Sequence, residues 1–305
     1  PFPQNTVIAN TQQHRINVST FISFTFILGQ SISFLLPNVA GALEGSVGQK
    51  GSIRLSVAIM ATIACIAMLI PAFYIKERDY IDSKPSNTKP FKSLAKTFSN
   101  TQFRRFVYSD VIYFFALTLF QTGLAFYETK LMEIEDTWTF VLTATMTAIS
   151  VLLYPVVNIL AKKIGKKPLI IIGFFAYSLV FAITTFCGKG LHWGFIIAVT
   201  AAVPMAILGI LPQACVADVA ELTRLETGED RSGMFFAART FAFKMGQALA
   251  LVIFTSVTVS QTKNSYRMTA LIAFICCTAG AILFFAFNEK KILEKIKELK
   301  GSDTI

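Results

Sequence analysis

Eight long apolar segments fill most of this chain of 305 residues. Each is about 20 residues long, the length that an α-helix needs to cross about 30 Å of hydrocarbon. Six of them contain no Asp, Glu, Lys or Arg. A chain with so little polar sequence cannot cover a water-soluble surface, so the pattern predicts an all-α integral membrane protein. The predicted membrane spans are 19–43, 55–75, 106–127, 138–160, 169–188, 193–217, 233–259 and 268–288.

The formal net charge of +10 is explained by where the charges fall along the chain. If the chain starts in the cytoplasm and the spans alternate, 20 of the 28 Lys and Arg residues lie in cytoplasmic segments and 6 in outer segments. This excess follows the positive-inside rule, which predicts a cytoplasmic start and C-terminus in a cell membrane. No nucleic-acid partner is needed to explain the charge. The acidic loop Glu128–Asp136 is then expected on the outer side.

Neither the cysteines nor the histidines form a metal-binding pattern. The five Cys lie in or at the ends of the predicted spans, and the two His are far apart. There is also no Ser–His pair placed in the spans and no phosphate-binding loop. We therefore expect no metal site, no cofactor, no disulfide framework and no enzymatic activity.

A long basic segment separates the predicted spans into two groups. Residues 76–105 are polar, contain eight Lys or Arg and include a short amphipathic stretch, Phe91–Lys96. The tail has apolar residues at helical spacing among Lys and Glu, so it is either an amphipathic helix on the cytoplasmic face or a solvated helical extension. We interpret the organisation as the rest of an N-terminal bundle with two spans (1–75), a cytoplasmic linker (76–105), a C-terminal six-helix bundle (106–288) and a cytoplasmic tail (289–305).

Six spans after a long basic loop match one half of a twelve-helix transporter of the major facilitator type. The loop from Asn158 to Lys167 resembles that superfamily's cytoplasmic motif G-x-x-x-D-[RK]-x-G-[RK]-[RK], with Lys162 in place of the Asp. Positive-inside charge alone also explains such a basic turn.

The block from Leu211 to Gln247 carries a more specific resemblance. It contains an A-D-x-x-[DE] sequence with Asp218 and Glu221, a Thr-Gly loop with Arg231, and an F-x-x-K-x-G sequence with Lys244. In this order and at this spacing the block resembles the glycoside–pentoside–hexuronide:cation symporter family of the major facilitator superfamily, which includes melibiose permease.

The resemblance implies a twelve-helix fold of which this chain holds helices five to twelve, as eight transmembrane helices. The family's cation-binding carboxylates lie on its second and fourth helices, so the main site for the coupling ion, Na⁺ or H⁺, is expected on absent helices. The implied function is sugar:cation symport by alternating access, by a monomeric carrier in a lipid bilayer. Two alternatives stay open, a lysophospholipid or other organic-solute carrier of the same family and a truncated membrane protein that does not transport.

Lys244 is the strongest candidate for a functional residue. It lies 11 residues into a span that starts near Gly233, about 16 Å deep. A cation at that depth costs roughly 2.5–3.5 kcal/mol unless it is paired or hydrated. We interpret it as a cavity-facing lysine that binds the substrate or pairs with a carboxylate, and the resemblance implies the same. The alternative is a lysine that snorkels to the interface.

Charged residues near the cytoplasmic ends of the later spans predict a gate. Asp218 and Glu221 are three residues apart and share one helix face, and Arg231 follows just outside the next span. We interpret the three as an ion-pair cluster that closes in one transport state, although an ordinary surface salt bridge has the same pattern. Arg239 is expected to join this region by snorkelling or by pairing with Asp218, and Asp110 is expected at the membrane interface.

Polar, uncharged side chains inside other spans are further candidates. Sugar hydroxyls need hydrogen-bond donors and acceptors, and the spans supply several. Hydrogen bonding between helices explains these residues equally well. They are Gln121, Tyr113, Tyr154 and Asn158.

Overall fold

The computed structural model describes residues 36–74 and 90–302, together with Asn17, 20–22, 24–25, Gly29 and Ile32. Over these residues the chain is helical and contains no strand, which confirms the all-α prediction. It divides into two compact units, one formed by 21–82 and the other by 1–20 and 83–305. The helices are α1 (Leu36–Tyr74), α2 (Pro90–Ser99), α3 (Thr101–Phe126), α4 (Asp136–Ile164), α5 (Lys166–Phe186), α6 (Leu191–Thr227), α7 (Ser232–Thr258), α8 (Lys263–Phe284) and α9 (Glu289–Ser302), with a π-helical turn (Tyr127–Leu131) after α3.

Seven helical stretches in the described part of the chain are long and apolar enough to cross a membrane. The predicted first span, 19–43, lies mostly outside the described residues. The predicted second span, 55–75, falls largely within α1, which also takes in 44–54. That segment was expected to be an outer turn because it is polar, but it is helical except at Gly48, where φ is 69° and ψ is 165°. Glycine tolerates a positive φ, so the helix can be interrupted at this single residue.

The segment predicted as a linker is helical where it is described. α2 contains the predicted amphipathic stretch, and α3 begins at Thr101 rather than at 106. Asn100 caps α3, since its Oδ1 accepts hydrogen bonds from the backbone N–H groups of Gln102 and Phe103 at 3.0 and 3.1 Å. The Nδ2 of Asn100 donates to Thr223 Oγ1 on α6 at 3.2 Å. This one side chain therefore starts α3 and ties it to α6.

The acidic loop predicted for 128–136 is not wholly exposed. Its first residue, Glu128, belongs to the π-helical turn and is only 4% exposed. The backbone N–H of Ile134 returns to the carbonyl of Glu128 at 3.0 Å and folds the chain back over it. The span predicted to end at 127 thus continues as a wider helical turn to Leu131, and this turn points the Glu128 side chain inward.

Helices α3 to α8 form one bundle. α3 packs against α7 and α8, α5 packs against α6 and α8, and α4 packs against α6, while α9 lies along α6. Small residues bring the helices close. A Cβ added at Gly246 on α7 would lie 2.9 Å from the backbone oxygen of Val111 on α3. In a bundle where lipid gives little hydrophobic drive for association, such close contact supplies much of the packing energy.

This contact leads to a stability prediction. The variant Gly246→Ala forces the methyl group against a backbone carbonyl that cannot move aside, so we expect it to lower the free energy of unfolding by about 1–3 kcal/mol. Gly280→Ala is the matched control, because its added Cβ would meet the Phe174 ring at 3.4 Å, an ordinary contact. Thermal unfolding in detergent compares the two. Equal melting temperatures for both variants would contradict the role given to Gly246.

Candidate functional site

Lys244 lies near the middle of α7, twelve residues after Ser232 and so about 18 Å along the helix. Its side chain is exposed, and no ion pair joins it to any described carboxylate. Its Nζ lies 5.7 Å from the ring centroid of Phe243, which stacks on Phe114 at 4.2 Å. Phe241 and Ala248 share its helix face and are also exposed. Lys244 is thus a cation on a face that the other helices of its bundle leave open.

The four polar candidates do not form one cluster. Gln121 lies on α3 and is exposed, like Lys244. Tyr113 is buried inside the bundle, with its ring centroid 6.0 Å from that of Tyr177. Tyr154 is buried as well, and a Cβ at Gly209 would lie 3.4 Å from its hydroxyl. Tyr177 lies near both tyrosines. The sequence did not indicate this residue, because the position of a tyrosine in an apolar span does not show which side chains it will contact.

The fourth polar candidate, Asn158 on α4, forms hydrogen bonds with two residues near the start of the chain. Its Nδ2 donates to Asn17 Oδ1 at 3.1 Å and to Thr20 Oγ1 at 2.9 Å. These hydrogen bonds occupy both protons of the amide nitrogen. In this conformation only the Oδ1 of Asn158 is left to bind a solute.

Arg239 forms a buried ion pair that joins α7 to α3. Its Nε and Nη2 donate to Asp110 Oδ2 and Oδ1 at 2.8 and 3.0 Å, and the two residues are 6% and 4% exposed. Arg239 was expected to snorkel or to pair with Asp218, and Asp110 was expected at the interface, whereas the structure pairs the two with each other inside the bundle. The guanidinium also lies 5.7 Å from three phenylalanine rings, those of Phe106, Phe114 and Phe243. Two-point geometry and aromatic neighbours suit arginine better than lysine.

Asp218 belongs to a buried cluster at the predicted cytoplasmic end of the bundle. Its Oδ2 accepts a hydrogen bond from the ammonium of Lys166, which is fully buried. The Oε1 of Glu289, itself 5% exposed, lies 3.7 Å from the same ammonium. Sequence analysis missed Lys166 and Glu289, since one is the third of four lysines in a basic loop and the other is the first residue of the tail. The only signal was the loop motif, which ends at Lys167.

Glu289 also caps α5. Its carboxylate accepts hydrogen bonds from the backbone N–H groups of Lys166 and Lys167 at 3.1 and 2.7 Å. The preceding Gly165 has φ of 91°, so the chain turns sharply just before these N–H groups. A negative charge at a helix N-terminus is stabilised by the helix dipole and by the free N–H groups. The first residue of the tail is thereby fixed to the start of a membrane span.

Glu221 and Arg231 have partners of their own. Glu221 accepts hydrogen bonds from Arg224 at 2.9 and 3.1 Å and pairs with Lys300 of α9 at 2.9 Å. Arg231 is buried, donates to Ser93 Oγ at 3.2 Å and lies 3.6 Å from Glu229. Asp218, Glu221 and Arg231 were predicted to form one gate, but each of them contacts different partners. All of them lie at the same end of the bundle.

Among the described residues no group of His, Cys, Asp and Glu side chains is arranged to hold a metal ion. Of the buried carboxylates in the described residues, Asp110, Asp218, Glu221 and Glu289 face Arg, Lys or backbone N–H groups, whereas Glu128 does not.

The Arg239–Asp110 pair gives a second prediction. Asp110→Asn leaves a buried guanidinium without a counter-charge, so we expect a loss of about 3–5 kcal/mol in stability. Replacing both residues by leucine should recover most of this loss, since no charge is then buried. The exposed pair of Lys295 and Glu226, 3.0 Å apart, is the control, and Glu226→Gln should cost less than about 1 kcal/mol. If thermal unfolding shows that Asp110→Asn loses no more stability than this control, the role given to the ion pair is contradicted.

The Glu289 cap gives a third prediction. Glu289→Ala should cost the start of α5 about 1–2 kcal/mol, which corresponds to roughly five- to thirtyfold faster amide exchange there. Hydrogen–deuterium exchange of peptides covering 165–170 measures it, with the centre of α5 as an internal reference. Glu294→Ala changes an exposed carboxylate on the same helix and should leave this exchange unaltered. Equal effects from the two variants would refute the capping role.

A comparison with protein-family models matches residues 4–288 to the family described as MFS/sugar transport protein. No curated protein matches the chain significantly. The match confirms the resemblance to major facilitator sugar carriers at the level of the family. Together with the seven membrane-capable helices, it makes this a multi-pass membrane protein of transporter type.

Proposed function

The chain belongs to the MFS/sugar transport protein family, and on that premise we propose that it is a secondary active transporter that carries a sugar-like solute together with Na⁺ or H⁺. It works by alternating access as a monomer in the cell membrane, with its start and C-terminus in the cytoplasm. The family match over 4–288 carries the proposal. The remaining support comes from Lys244 on α7, which pairs with no carboxylate among the described residues.

Lys244 supports a solute site because nothing in the described bundle compensates its charge. A lysine at the centre of a span costs roughly 2.5–3.5 kcal/mol. The open face around it leaves the ammonium free to donate up to three hydrogen bonds. Sugar hydroxyls and carboxylates are both acceptors for such a group. We assign Lys244 to solute binding or to pairing with a carboxylate during the transport cycle.

Neighbouring side chains add the other features that a sugar site needs. The stacked rings of Phe114 and Phe243 lie beside Lys244 and are only partly buried. An aromatic face of this kind can pack against the apolar face of a sugar ring. Gln121 is exposed further along α3 and supplies an amide that both donates and accepts hydrogen bonds. We propose that these groups line one wall of the solute path.

The ionic residues at the predicted cytoplasmic end of the bundle are suited to form a gate. Alternating access requires that contacts at one end break while those at the other end form. Asp218, Glu221 and Arg231 all lie at the predicted cytoplasmic end. Asp218 contacts Lys166, the first residue of α5, and Glu221 contacts Lys300 of the tail helix. We propose that this set of contacts closes the cytoplasmic end in one state and separates in the other.

A counterflow assay tests the function directly. Purified protein in liposomes loaded with an unlabelled sugar should accumulate the same sugar in labelled form, and a panel of hexoses, pentoses, hexuronates and glycosides identifies the class. Imposed Na⁺ and pH gradients identify the coupling ion. Failure of every sugar to exchange would reject sugar transport, and exchange of a labelled lysophospholipid in the same vesicles would reassign the solute.

Lys244 gives the fourth prediction. Lys244→Ala should reduce cation-driven uptake at least tenfold, since the cation at the solute path is lost, while expression and folding stay normal. Lys244→Arg keeps the charge and should retain part of the activity. Lys297→Ala removes an exposed lysine of the tail helix and is the control for net charge. Uptake and coupling unchanged in Lys244→Ala would refute the role of this residue.

A further inference from the structure

Glu128 is a buried carboxyl group at the predicted outer end of the bundle. It is 4% exposed and lies in the π-helical turn between α3 and α4. Its Oε2 makes no hydrogen bond of good geometry to a described residue, and the Thr139 hydroxyl is the side-chain donor that lies close to the carboxyl group. Such wide turns inside helices occur frequently at functional sites.

The carboxyl group lines a small cavity. The cavity has a volume of about 10 Å³, which is room for one water molecule. Apart from Glu128 and Thr143, its lining is apolar and comes from three helices. The lining residues are Leu124 on α3, Leu142, Thr143 and Met146 on α4, and Ile197 and Ala198 on α6.

The charged side chains on the surrounding helices and turns are exposed or contact groups other than Glu128. Lys130, on the same turn, is exposed, and so is His192 at the start of α6. On α8, Lys263 pairs with Glu133 and Arg267 donates to the carbonyl of Cys187 at 3.2 Å. Among the described residues no cation therefore pairs with Glu128.

An ionised carboxylate buried without a counter-ion is far more costly than the neutral acid. A metal ion such as Na⁺ needs several oxygen ligands, whereas a proton needs one. Besides Glu128, only Thr143 among the side chains that line the cavity carries an oxygen, and the cavity holds one water. From this geometry we propose that Glu128 is a proton-binding site of this bundle, closed from the outer solution by the turn that follows it.

The turn after Glu128 is held by contacts that are easily broken. Glu133 has φ of 55° and pairs with Lys189 at 2.9 Å and with Lys263, and all three side chains are substantially exposed. Hydrogen bonds from these two lysines hold the pKa of Glu133 below its usual range. The backbone N–H of Gly190 donates to Met132 O at 2.8 Å. When these contacts separate, water reaches Glu128, the proton passes to that water, and the carboxylate remains ionised and hydrated.

The site is distinct from Lys244 and stands whether or not the solute is a sugar. Its test is the infrared absorption of protonated carboxyl groups in the full chain, purified into lipid nanodiscs and titrated with acid and base. We expect a protonated-carboxyl band at neutral pH that Glu128→Gln removes. Glu135→Gln, at an exposed position seven residues on, should leave the band in place. Identical spectra for the wild type and Glu128→Gln would overturn the proposal.

Two further measurements keep the test decisive if Glu128→Gln does not fold. Glu128→Asp should retain a protonated-carboxyl band at a shifted frequency. Thr139→Val should move the midpoint of the titration to higher pH, because it removes a neighbouring hydroxyl that can stabilise the anion. A band that neither variant alters would overturn the proposal. So would a band that Na⁺ removes at constant pH, since the group would then bind Na⁺ in place of the proton.

Discussion

No water is available in the hydrocarbon core to solvate a charge, and this constraint explains how the ionic residues of the bundle are arranged. Arg239 and Asp110 satisfy each other inside the bundle with two hydrogen bonds. Lys166 is fully buried and is held by Asp218 with Glu289 close by. Arg239 and Asp110 lie on helices distant in sequence, as do Lys166 and Glu289, so these ion pairs also fix which helices are neighbours. The cost of leaving either partner alone makes these contacts specific even where they add little net stability.

Ion pairing and capping also give the tail helix its position. Glu289 caps α5, Lys300 pairs with Glu221, and Ile292 and Ile296 are buried on the inner side of α9. The apolar side chains supply contact area, while the charged ones set the register of α9 along α6. A segment that the sequence left as either an interfacial helix or a solvated extension is therefore part of the bundle. Its charges reach the residues proposed as the gate.

The lengths of the apolar segments predicted the class of this protein and most of its spans, because about 20 consecutive apolar residues indicate a membrane-spanning helix. It could not predict partners. Nothing in the sequence near Arg239 points to Asp110, which lies 129 residues earlier. The burial of Glu128 could not be predicted for a related reason, since an acidic residue at the end of a span looks like loop sequence until the backbone turns it inward. Local pattern determines where helices run, whereas pairing between distant helices depends on their packing.

Arg239 and Lys244 show what this means for function. They lie five residues apart on α7, which turns them about 140° from each other around the helix. Arg239 faces α3 and has Asp110 opposite it, whereas Lys244 lies on the open face with no described carboxylate beside it. A helix that neutralises one cation and leaves the next exposed in the same span has a structural use for the first only. This difference between the two cations is why we propose that Lys244, rather than Arg239, acts on the transported solute.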